Sequence, residues 1–460
     1  MSTNVVNGWS RNTDTFFLDA LSGEGGFLDG RYLPKHPMET DEDYAARRAQ
    51  SIYPNYVEMV VGVYSGYLWQ RPPARESSDL YARFVADADG QGTGLDMLME
   101  QYQQLAMVLG TVWIIVDKPA APAANRAVEG LPYLAMRMPC EVVDEPKQDA
   151  QGRITEIAFN ECCDGETLVR RFTLTGWRLE SKGGVAIEEG VYGFGRVPVV
   201  AIHSKPPRLQ RDLCARPWAY NLIQQNWRLY KLRSEMDWLF SQQAFAQPIF
   251  PESDPQQREK LRTEGLVMGA NTAWIFDPAN GGRPGFVAPP PDPINSYQKE
   301  LESAVLGIYE AANLDFVSGA GIQQAASTVS FYFQKANSAL VGIASLTEKA
   351  ERQIAWLVHA WMGQQDVPSL ISYPRDFNLL NLADELKSGM DALSLQISPT
   401  FDQQVRKNLA KSVLGHGVAQ ATIEQIDNEI EGGADPYGDR AAKEAGNLPP
   451  INNQPTSGAP

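Results

Sequence analysis

The chain has 460 residues and a mass of 50.8 kDa, with 43% hydrophobic and 21% charged residues. That is material for roughly two to four ordinary domains, and it excludes a small stapled scaffold, a fibrous chain and a disordered one. The 40 Lys and Arg against 56 Asp and Glu leave a formal net charge of −16, the wrong sign for a protein that grips duplex DNA tightly by neutralising phosphates.

The opening MSTNVVNGWS lacks the basic start and apolar stretch of a signal peptide, and the strongest apolar run, Val112 to Val116, is far too short to span a membrane. A soluble intracellular product is expected. Thr40 ahead of Asp41, Glu42 and Asp43 reads as an N-cap with an acidic first turn. It opens one helix carrying Tyr44, Ile52, Tyr56, Val60, Val63 and Tyr67 at helical spacing, ended by Pro72-Pro73. A second helix, Leu95 to Leu109, stops at Gly110 and feeds the buried strand TVWIIVD. From Pro132 to Ser204, short alternating runs such as ITEIAF, ETLVRRFTL and VPVVAIH predict a small antiparallel sheet.

Pro217 to Gln247 predicts a long helix whose apolar residues, among them Leu222, Ile223, Trp227, Tyr230, Met236 and Phe240, occupy more than one stripe. Such a helix needs neighbours on several sides, so obligate oligomerisation is expected. Pro248 to Pro293 reads as a compact α/β insertion, with strands at PIF, TAWIF and GFVAP around the polar helix DPQQREKLRTEG. Another helix, Ser296 to Asn313, leads into a loop rich in Gly and small residues, Asp315 to Ser327. The clearest periodicity follows: Ala336, Leu340, Ile343, Thr347, Ala350, Ile354, Leu357 and Trp361 step by fours and threes along one helix, Thr328 to Met362. Gly342 inside it marks a kink or a close helix approach. SLISYP is a short strand, two or three acidic helices occupy Asn381 to Glu431, and the remainder is a polar tail expected to be mobile on its own.

Catalytic signatures are missing. No GxxxxGK[ST] exists to cradle phosphates, and no Gly-X-Ser-X-Gly elbow presents a nucleophile. Asp117 ends a strand as a metal ligand would, but reads better as a strand terminus; the GAG at Gly319 to Gly321 lacks the third glycine of a dinucleotide fingerprint. His36, His203, His359 and His416 are scattered, and Cys162-Cys163 lacks Cys-X-X-Cys spacing. With Cys140 and Cys214 these are the only cysteines, too few for an oxidised framework. No catalytic, cofactor or metal site is therefore expected, and the protein is read as a non-enzyme. Basic residues cluster once: Arg208, Arg211, Arg216, Arg228, Lys231 and Arg233 outnumber Asp212, Glu235 and Asp237 between Pro206 and Asp237. Arg228, Lys231 and Arg233 are the candidate DNA-facing patch; a subunit contact or a solvated face is the plainer alternative.

Taken in order, these elements resemble the portal proteins of tailed bacteriophages. The resemblance runs from about Asp41 to Tyr437, through YPNYVEMVVGVYSGYLWQRPP, VLGTVWIIVDKP and SFYFQKANSALVGIASLTEKAERQIAWLV. It implies an α+β, mainly helical subunit with wing, stem, clip and crown regions. Residues 1–216 would form the wing, 217–247 and 294–314 the stem helices, and 248–293 the clip. Residues 315–327 would be the tunnel loop, with Phe316, Val317, Gly319, Gly321, Ile322, Gln323 and Gln324 as candidate DNA contacts. Residues 328–380 would be the long kinked helix and a wing strand, 381–435 the crown and 436–460 a polar tail.

The family further implies a dodecameric ring at one capsid vertex of the virion, assembled in the host cytoplasm, through which double-stranded DNA is packaged and ejected. Its partners would be other copies of itself, the terminase large subunit, the head-to-tail adaptor, and the major capsid and scaffold proteins, with no membrane and no cofactor. Two other readings stand beside it: another capsid-associated component, such as a minor head or adaptor protein, and a metal-dependent hydrolase or nuclease using clustered acids.

Overall fold

The computed structural model describes most of residues 11–377, apart from short stretches of which those of four or more residues are 120–129, 265–273, 277–284, 288–291, 315–325 and 365–369; beyond 377 it describes chiefly residues 398–414. The chain divides into two compact units, Met1–Phe377 and Asn378–Pro460. It is a mixed α+β fold in which helices predominate.

The first unit opens with α1 (Arg11–Ser22), α2 (Asp41–Gln50) and α3 (Tyr56–Leu68). Thr40 caps α2 as the sequence predicts, its hydroxyl accepting from the Asp43 amide at 3.1 Å. The single helix expected from Thr40 to Tyr67 is instead two. Pro54 disfavours helical conformations at Tyr53 and has no amide to donate. Ser51 accordingly leaves the helix at ψ 131°, and Asn55 caps a fresh start by accepting from the Glu58 amide at 3.1 Å. Then come β1 (Ala74–Glu76), α4 (Asp79–Ala86) and α5 (Leu95–Leu109). Gly110 ends α5 at φ 86°, where a Cβ would lie 2.1 Å from the Ala215 carbonyl, so only glycine fits this turn.

Strand β2 (Thr111–Asp117) is buried along its length between β3 (Tyr133–Arg137) and β9 (Val199–His203), both antiparallel to it. One face of β2, with Val112, Ile114 and Val116, joins the main helical core. The other, with Trp113 and Ile115, joins Val142, Ile157, Phe159 and Phe172 in a second core. The latter residues belong to or adjoin a separate antiparallel meander: β4 (Lys147–Gln148), β5 (Ile154–Cys163), β6 (Glu166–Thr173), β7 (Gly176–Glu180) and β8 (Ala186–Val191). The one small sheet of the sequence reading is thus two. Alternation marks each strand, but the return of β9 to β2 is a long-range pairing that local pattern does not encode.

Helices α6 (Tyr220–Gln243) and α8 (Asp292–Ala311) pack as an antiparallel hairpin, with Glu235 near Tyr297 and Gln225 near Gly307. Between them lies the α/β insertion that the sequence texture predicts. Strand β10 (Gln247–Pro251) is flanked by β11 (Trp274–Phe276), parallel to it, and β12 (Gly285–Val287), antiparallel, with α7 (Pro255–Glu264) in the connection.

Helix α9 (Ala326–Trp361) runs unbroken for 36 residues and buries the predicted stripe from Leu340 through Leu357. Gly342 is exposed, and a Cβ there would meet nothing within 4 Å, so none of the described helices approaches it closely. Gly342→Ala should therefore stabilise the unit by about 1 kcal/mol, seen as a higher midpoint in thermal unfolding. A lower midpoint would mean that the position packs against another molecule.

Strand β13 (Leu370–Ser372) pairs with β1 and closes the unit around a buried ionic cluster. Glu351, fully buried on α9, accepts from Arg75 Nε at 2.6 Å and Nη2 at 3.0 Å, from the Tyr81 hydroxyl at 3.0 Å and from the Tyr373 hydroxyl at 2.6 Å. His359, about two turns further on, is also buried: its Nδ1 donates to the Ala355 carbonyl at 2.7 Å and its Nε2 accepts from Ser78 at 2.9 Å. The second unit is described mainly by α10 (Pro399–Leu414), whose first turn is capped by Ser398. The rest of the expected crown and the polar tail lie outside the described residues.

Candidate functional site

The expectation that only neighbouring copies could cover the apolar stripes of α6 is corrected by the packing. Leu222, Ile223, Leu229 and Tyr230 are buried within the chain itself. An aromatic cluster covers them: Phe16, Phe27, Tyr32 and Tyr53 surround Trp227 and Tyr230. Trp227 donates to the Tyr32 carbonyl and Tyr230 to the Phe27 carbonyl, each at 2.9 Å. Only the last turns of α6 stay open, with Phe240 still 37% exposed.

What remains uncovered is a groove of about 650 Å³ on the outer face of the hairpin, lined by Tyr56, Leu229 and Met236 together with Leu301, Val305, Leu306 and Tyr309. Arg233 and Glu302 are its charged members. On α8 the spacing explains the division: Ala304 and Ile308 turn inward and are fully buried, whereas Leu306 is 46% exposed. Met59 and Val63, three and seven residues beyond Tyr56, continue the exposed apolar surface along α3. Contiguous apolar surface of this kind marks a binding face in a soluble protein.

The candidate basic patch lies on the same helix, and each of its cations already has a partner. Arg228 pairs with Glu300 at 2.8 Å, Arg233 approaches Asp237 at 3.9 Å, and Lys231 Nζ sits 4.1 Å above the Trp227 ring. Arg216 likewise stacks on Tyr220, whereas Arg211 lies outside the described residues. Exposed pairs of this type are worth at most about 1 kcal/mol, so they lower the local charge without locking it. The candidate loop contacts Phe316, Val317, Gly319, Gly321, Ile322, Gln323 and Gln324 all lie outside the described residues. Ala326 and Ser327, assigned to that loop from sequence, belong instead to the first turn of α9.

A second cavity, of about 720 Å³, opens between the β4–β5 end of the meander, the segment after β9, and α9. Trp113 and Ala201 lie in its wall, with His203, Arg196 and Lys349 among its polar members. Thr111 organises this corner. Its hydroxyl accepts from the Ala215 amide at 2.8 Å and shares a hydrogen bond with His203 Nδ1 at 2.9 Å. Burial first, and then the Lys349 charge, push the His203 pKa down to about 4.

A base whose folded pKa lies below its unfolded value takes up its proton preferentially in the unfolded chain. Stability should therefore fall as pH drops from about 6.5 to 4, by on the order of 3 kcal/mol for this group. His203→Gln should flatten that part of the stability–pH curve in denaturant titrations. An unchanged slope would show that the imidazole protonates freely in the fold.

The other residues singled out by sequence have structural roles. Asp117 is buried against Tyr133 and Arg170, burial raising its pKa above the usual carboxylate range. Cys162 ends β5 exposed, while Cys214 is buried with its thiol pushed up to about 12 by desolvation. Among the described residues no three His, Cys, Asp or Glu side chains gather as a metal ion would require, and no helix is long and apolar enough to cross a membrane.

No family model matches the chain, and no curated protein matches it. Solved structures that it matches include a chain in the virion of a native gene transfer agent particle, at 14% identity and a TM-score of 0.46, over 85% of this chain and 98% of that one. A chain in the neck of an empty gene transfer agent particle, computed with C6 symmetry, matches at 15% identity and a TM-score of 0.44, over 88% of this chain and 94% of that one. A chain in the neck of the native particle, computed with C12 symmetry, matches at 14% identity and 0.42, over 83% and 98%.

Proposed function

We propose that the chain is a structural subunit of a phage-like particle, and specifically a portal protein whose ring at one capsid vertex conducts double-stranded DNA. The observation that carries this reading is the α6–α8 hairpin: two antiparallel helices with an α/β insertion between them and an apolar groove that the described residues leave open. A hairpin that buries one face inside its own subunit and leaves the other apolar is suited to standing side by side with copies of itself around an axis. In this arrangement α6 and α8 are the stem. Residues 248–293 are the clip, docking the terminase large subunit during packaging and the head-to-tail adaptor afterwards.

The charge supports a conduit rather than a clamp. A net charge of −16 and a basic patch whose members pair with Glu300, Asp237 and Trp227 keep phosphate contacts few and weak, so DNA can slide. Affinity for duplex DNA at physiological salt should be indifferent to sequence and no tighter than about micromolar. Filter binding or fluorescence anisotropy that finds nanomolar binding to one sequence would contradict the conduit.

The tunnel loop provides the functional test. Gly319→Pro combined with Gly321→Pro should leave rings intact while DNA retained in particles falls sharply: as the tunnel loop, residues 315–327 would face the moving duplex, and small residues such as Ala320 and Ala325 would contribute little to a core. Particles that fill and hold DNA normally would remove the loop from the channel. Assembly and packaging lost together would reduce it to a connector.

A further inference from the structure

The β8 edge of the five-stranded meander and a cavity at one end of the same sheet carry complementary surfaces. At one edge, β8 pairs only with β7, which leaves its outer backbone groups without a strand. Val185, just before it, and Ile187 and Val191 on it are 68%, 58% and 88% exposed, and between them stand Glu188 and Glu189, charges that keep the edge from pairing indiscriminately.

At one end of the same sheet, the β4–β5 turn, Leu174 and the Gly195–Val197 segment that follows β8 wall the 720 Å³ cavity. The cavity offers an apolar wall and a surplus of donors. The Trp113 indole N–H is fully buried without a partner, and Lys349 and Arg196 are exposed cations lining the same space. Its two acids are already engaged: Asp149 accepts from Arg153 at 2.7 Å, and Asp212 from the Leu209 amide at 3.0 Å.

We propose that β8 of one copy docks into this cavity of the next, its apolar side chains against the Trp113 wall and Glu188 towards Lys349. Two different, complementary patches on one subunit are what a head-to-tail ring requires, since a heterologous contact closes by rotation. The contact is too small to hold a ring alone, because permanent interfaces bury roughly 2,000 Å² or more. It acts beside the α6–α8 groove and fixes the angular register of neighbouring wings. The inference rests on the ring reading, and its test separates the two.

Glu188→Lys and Lys349→Glu change exposed side chains, so thermal unfolding of each variant should match the original protein. At low ionic strength each alone should raise the concentration at which half the subunits are assembled by about tenfold, as like charges face one another. The doubly substituted protein should return to the original value. Rescue of that kind is the signature of a direct contact. Single effects without rescue, or no effect of either charge while the original protein forms rings, overturn this docking and leave the portal reading standing. An original protein that forms no rings at all overturns both.

Discussion

Arg75→Ala should destabilise the Met1–Phe377 unit by about 3–5 kcal/mol, the cost of leaving a buried carboxylate without its counter-ion. Glu351 has no exposed surface, and Arg75 supplies two of the four hydrogen bonds it accepts. Arg75 also pairs with Asp96 at 2.6 Å, so its removal unties α5 from the same cluster. Burial alone would weaken the guanidinium's hold on its proton, but the Glu351 and Asp96 charges outweigh it and raise the Arg75 pKa. Tyr81 and Tyr373 stay protonated, since burial and then Glu351 itself push both hydroxyls far above their ordinary pKa, so they go on donating to the carboxylate but cannot neutralise it. Denaturant unfolding followed by circular dichroism measures the loss. A change below about 1 kcal/mol, the scale of an exposed pair, would contradict the buried cluster.

Leu306→Glu should act on assembly and leave the fold alone. Leu306 is nearly half exposed in the single chain, so a carboxylate there is tolerated by the monomer. In a ring whose subunits meet over the α6–α8 groove, that carboxylate would be desolvated without a partner, at a cost of several kcal/mol per contact. Assembly should weaken by about a hundredfold or more, since each 1.4 kcal/mol is a factor of ten. Sedimentation velocity should show folded monomers in place of the large species. Undiminished assembly would move the interface elsewhere on the surface.

Elements with strong local signals were legible in the sequence. α5 ends at Gly110 as expected because that glycine alone satisfies the φ and the close Ala215 carbonyl, and α9 follows its fours-and-threes stripe. The strands of the α/β insertion appear where β-branched and aromatic triplets sit between Gly and Pro. The division of α2 from α3 hinged on Pro54, whose effect a run of well-spaced apolar residues outweighed in the pattern. Burial of Arg75 and Glu351 had no local sign, because their partners stand 276 residues apart and each looks like an ordinary solvated charge. The aromatic cover of α6 was hidden for the same reason: Phe16, Phe27 and Tyr32 precede it by some two hundred positions. At the site, spacing identified the apolar character of α6 but not which half its own chain would bury. The basic patch likewise read as free charge until Glu300 was folded against it.

Electron microscopy of the purified full-length protein, with its mass measured by light scattering, tests the portal reading most directly. The account predicts closed rings with a central hole and a mass many times 50.8 kDa, losing their integrity when Leu306 becomes Glu. A soluble, stable monomer of 50.8 kDa at micromolar concentration would contradict it.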